Sequence, residues 1–169
     1  LRIMANKVIN IATKYNEGLV VNLDKSDFFR LGKDSCQRGE LFNFALALGV
    51  HQGYPSEIDK KVGFIRTESI GNNKYLYESV YFKEKIEGNL SNIDKITDEN
   101  DIINTVEQYV NTGLNVLQDK KNSISEEEFM YSLFTEMDEI YKDFAEELDV
   151  LYKWWKSVVE SSTLIHALE

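Results

Sequence analysis

From Leu41 to Val50 the chain reads LFNFALALGV, and Asn43 is its one polar side chain. As a helix this stretch is apolar around its whole circumference, so it has to be buried on every side. The spacing predicts a helix from Asp34 or Ser35 to about Gly49, with Asp34 and Gln37 in capping-box register. Pro55 then turns the chain, because the residue before a proline avoids helical dihedrals. A central helix needs other elements around it. At 169 residues the chain buries roughly 70% of its unfolded surface, enough for a core without staples. The one cysteine, Cys36, leaves neither an internal disulfide nor a paired zinc spacing.

The surrounding elements read as mostly helical. Ala5, Val8, Ile9 and Ala12 recur at i, i+3, i+4 and i+7, predicting a helix over residues 2–15. The LVVNL run at 19–23 and the GFIRTESI run at 63–70 are the places for a short β element. KYLYESVYFKEKI, residues 74–86, alternates its tyrosines like a strand, yet Leu76 with Val80 and Tyr77 with Tyr81 fit a helix, which is favoured. A further helix begins after Thr97 or Asp98, carries acids in its first turn, and gathers Ile102, Val106, Tyr109, Val110, Leu114 and Leu117 on one face.

No glycine or proline follows Gly113, so the C-terminal part reads as one long helix over 125–160. Ser125 and Glu128 have capping-box spacing. Met130, Phe134, Met137, Tyr141, Phe144, Leu148, Leu151 and Trp155 then follow at alternating gaps of 4 and 3, an unbroken heptad. Leu133, Ile140 and Trp154 widen the stripe, as expected of a helix packed on other helices. At full length this helix would span about 50 Å, against about 40 Å for a compact globule of this size. It therefore breaks, protrudes or reaches a partner, and a homodimer or protein partner held by the stripe is expected. Overall, the sequence predicts a mostly α, single-domain helical bundle over 1–169, with a core of 1–119 and this amphipathic helix.

Charge narrows the function. The net charge is −10, and residues 122–160 contribute −8 of it through eleven acids and three lysines. An acidic total disfavours non-specific nucleic-acid binding. A local patch of Arg30, Lys33, Arg38, Lys60, Lys61 and Arg66 stays open as an alternative, although acids and bases balance between Asp24 and Glu68. Glu136, Glu139, Asp143 and Glu146 form one acidic strip opposite the heptad. With no histidine before His166 on that helix, the strip reads as a solvated face rather than a metal site.

Catalytic constellations fare less well. A Cys36–His51 dyad is separated by about 22 Å along a continuous helix, far beyond the contact a nucleophile and its base need. Cys36 at a helix start and His51 at a helix end have ordinary structural readings. An enzyme centred on Asp34, Arg38, Glu40 and His51 remains a further alternative. There is no GxxxxGK[ST] and no GxGxxG, so no cofactor is expected. No apolar run reaches membrane-spanning length, and LRIMANKVIN lacks the apolar centre of a signal peptide, so a soluble, cytoplasmic protein is expected.

One resemblance adds to this. The Leu-Phe-rich helix Leu41 to Gly49, the polar turn Gly53 to Lys61, the extended Ile-Arg step Phe64 to Glu68 and the segment Tyr109 to Gly113 resemble, over about residues 27–117, the small proteins that accompany bacterial DNA-phosphorothioation and related restriction gene clusters. Val110 and Thr112 stand where that family typically has alanines. The resemblance implies an accessory protein of a DNA-modification or phage-defence system and carries no catalytic residues with it. On this reading the chain is a non-catalytic interaction module.

Overall fold

A computed structural model describes residues 7–23, 38–70, 74–86, 91, 98–125, 127–129 and 131–142. The chain divides into two compact units, Leu1–Glu126 and Glu127–Glu169.

The first unit is mostly helical with one small sheet. Strand β1 (Val8–Ala12) leads into a continuous helical stretch made of α1 (Thr13–Tyr15), a π-helical turn (Asn16–Val20) and α2 (Val21–Leu23). Helix α3 (Arg38–Gln52) follows, then strand β2 (Lys61–Arg66), a 3-10 turn (Thr67–Ile70), α4 (Lys74–Tyr81) with a π-helical continuation (Phe82–Ile86), and α5 (Glu99–Ser123).

Helices α3 and α5 form the centre. Leu41, Phe42, Ala45, Leu46 and Leu48 of α3 are buried, as the all-round apolar pattern requires. On α5 the predicted face of Ile102, Val106, Tyr109, Val110, Leu114 and Leu117 is buried as well. The two helices meet at glycines. A Cβ on Gly49 would fall on the carbonyl oxygen of Tyr109, and a Cβ on Gly113 would fall on that of Ala45. Backbone therefore lies against backbone, closer than the usual interaxial distance allows. Helix α3 runs past Gly49 to Gln52, where Gly53 ends it at φ 79° and donates its N–H to the Val50 carbonyl at 3.0 Å. At the start of α5, the Asp98 carboxylate accepts from the N–H groups of Asn100 and Asp101, which makes it the cap.

Two sequence expectations change here. Residues 8–12 are a strand, not part of a helix, because Val8, Ile9 and Ile11 are β-branched and Ile9 and Ile11 alternate into the core at 0% exposure. Their partner, β2, lies about fifty residues on. Residues 19–23 are helical, not extended: Leu19, Val20 and Leu23 are buried while Val21 is exposed, a helical and not an alternating pattern. The β element expected at 63–70 is present as β2, and the favoured helix at 74–86 is present as α4 and its continuation.

Strands β1 and β2 are antiparallel, with Ile9 opposite Ile65 and Asn10 opposite Gly63. Phe64 is thus an extra residue on β2, a β-bulge. Phenols tie α4 and its continuation to α5. Tyr81 donates to Asp101 at 2.7 Å, Tyr109 donates to Glu84 at 2.6 Å, and the Phe42 and Tyr77 rings meet edge to face.

The second unit is helical at 127–129 and 131–142, here called α6. Phe129 and Leu133 are buried, whereas the heptad positions Phe134, Met137 and Tyr141 are 60%, 45% and 70% exposed. Among the described residues, then, these three positions of the stripe are exposed and not packed as core. Met130, Phe144, Leu148, Leu151 and Trp155 lie outside the described residues. Among the described residues no helix is long and apolar enough to cross a membrane.

Two tests follow from this packing. Gly49→Ala and Gly113→Ala are each expected to cost about 2–3 kcal/mol of unfolding free energy by overpacking. Gly18→Ala, whose Cβ would meet only Gln118 Oε1 at 4.0 Å, should leave denaturant midpoints unchanged or slightly raised. Burial, and then the hydrogen bond to and charge of Asp101, push the Tyr81 phenol up to about 12. Burial and Glu84 raise Tyr109 in the same way. A phenol raised on folding contributes stability that is complete below its unfolded value of about 10 and is lost as pH climbs through the folded value. Stability is therefore expected to fall between pH 10 and about 12. In phenolate absorbance titrations, Tyr81→Phe and Tyr109→Phe should each remove part of the late ionisation.

Candidate functional site

The most concentrated polar cluster among the described residues lies where the sheet meets α5. Glu107, in the middle of α5, is 2% exposed. Its Oε1 accepts from both the backbone N–H and the side-chain amide of Asn10, each at 2.7 Å, and its Oε2 accepts from Lys61 Nζ at 2.6 Å. Lys61 also donates to Asn104 Oδ1 at 3.0 Å. Asn10 stands at the bulge, so the carboxylate takes a strand N–H at the point where the ladder is irregular.

A shallow cleft of about 200 Å³ opens beside this cluster, lined by Glu57, Ile58, Asp59, Lys61, Asn104 and Gln108. The 54–60 loop forming its rim is pinned to α5. Thr112 Oγ1 lies 2.9 Å from the Tyr54 carbonyl oxygen and 2.8 Å from Ser56 Oγ. The Asn111 amide donates to the Glu57 carbonyl at 3.2 Å, and Ser56 N–H donates to the Gln108 carbonyl.

Chemically the cluster is committed to structure. Both Glu107 oxygens are engaged and almost no surface is exposed, so acting as a general base would mean releasing β1. Lys61, 40% exposed, has its charge matched by that carboxylate.

The residues singled out in the sequence are dispersed. Arg30, Lys33, Asp34 and Cys36 lie outside the described residues. Arg38 places its guanidinium 5.8 Å from the centre of the Phe64 ring. Lys60 is exposed, and its carbonyl receives the Thr13 N–H. Arg66 pairs with Glu68 at 3.7 Å on an open surface. Glu40 and His51 are exposed at opposite ends of α3, about 16 Å apart along the axis, so they do not converge. On α6, Glu136 is half-buried and Glu139 exposed, while Asp143 and Glu146 lie outside the described residues. No group of three or more His, Cys, Asp or Glu among the described residues is arranged to hold a metal.

Sequence reading missed Glu107. The signal was present: it stands four residues after Ile103 and three before Val110, on the inward side of α5, so a carboxylate there needs a buried partner.

On α6, Tyr131, Phe134, Met137 and Tyr141 are all exposed, Tyr131 at 76%. No protein-family model, curated protein or solved structure matches this chain. Function is therefore argued from these surfaces alone.

Lys61→Met leaves the buried carboxylate without its cation and is expected to cost about 2–4 kcal/mol. Glu107→Gln keeps an acceptor for the Asn10 N–H and should cost about 1 kcal/mol. Urea unfolding of the two variants should rank them in that order.

Proposed function

We propose that this chain is a non-catalytic interaction module that works by docking through the outer face of α6, as an accessory of a bacterial DNA-modification or phage-defence complex. The observation that carries the reading is the exposed row of Tyr131, Phe134, Met137 and Tyr141. Single exposed apolar side chains are ordinary, but a contiguous row of four large ones on one helix marks a contact surface. The resemblance of residues 27–117 to accessory proteins of DNA-phosphorothioation and restriction clusters supports the setting. The two alternatives gain no specific observation. Lys61 and Arg66 each sit beside a carboxylate, and the helix axis keeps Glu40 and His51 apart.

The test is the double variant Phe134→Asp/Met137→Asp, prepared with the wild type and co-expressed with the proteins encoded beside the gene. Its circular dichroism and melting temperature should match the wild type, because both side chains are exposed. Association, whether with itself in sedimentation or with a neighbouring gene product in co-purification, should be lost. Unchanged association, or nucleotide or DNA turnover by the purified chain, overturns the reading.

A further inference from the structure

We draw no further inference here: the strongest candidate, the shallow cleft that sets the exposed Glu57 and Asp59 carboxylates beside Asn104 and Gln108 of α5, carries nothing, because an acidic pair on an open rim does not by itself specify a ligand and no second feature among the described residues points to one.

Discussion

The first unit depends on one close approach. Where Gly49 and Gly113 let α3 and α5 touch backbone to backbone, side chains on either side of the crossing interdigitate, and a residue only one methyl larger would hold the helices apart. Dense packing cannot absorb such a change locally. The position of α5 relative to α3 is set there, and the other described elements of this unit take their places from α5. Strand β1 meets it through Asn10 and Glu107, the 13–23 stretch through Tyr15 and Asn115, and α4 with its continuation through Asp101 and Glu84.

The two sides of α5 are buried by different chemistry, and the reason lies in what packs on each. Helix α3 satisfies its own backbone internally, so the side facing it needs only apolar contact and small residues. The opposite side receives a bulged strand and an irregular loop, whose N–H and C=O groups lack ladder partners. Glu107, Asn111, Thr112 and the Gln108 carbonyl supply them. This accounts for Glu107, Asn111 and Thr112 all being buried on one helix. A charge in that position is costly unless fully bonded, and Lys61 with Asn10 provides the bonds. The cluster resembles an active site in composition and in its neighbouring cleft, but its groups are already used.

Local periodicity made much of this legible. The 38–52, 74–86 and 99–123 helices follow from apolar spacing and, for the last, from the Asp98 cap. What failed was decided by partners far away in sequence. Val8, Ile9 and Ala12 satisfy a helical spacing as well as Ile9 and Ile11 satisfy a strand, and only pairing with 61–66 chooses between them. At 19–23 the apolar run is too short for periodicity to separate strand from helix. The same limit applied to the site. Lys61 was visible as a base, but its partner sits 46 residues away and is recognisable only once the inward side of α5 is known. The heptad was visible in the sequence, but not that Phe134, Met137 and Tyr141 would be exposed while Phe129 and Leu133 are buried.

That last division follows from the spacing of side chains around one helix. A helix with one apolar row can satisfy one neighbour. Helix α6 has two adjoining rows, Phe129 with Leu133 buried and Tyr131, Phe134, Met137 and Tyr141 exposed, and an acidic back beyond them. Truncating Tyr131, which is 76% exposed, would cost the fold little. Large apolar side chains at exposed positions lower solubility unless something covers them. The net charge of −10 limits that cost by repulsion between chains.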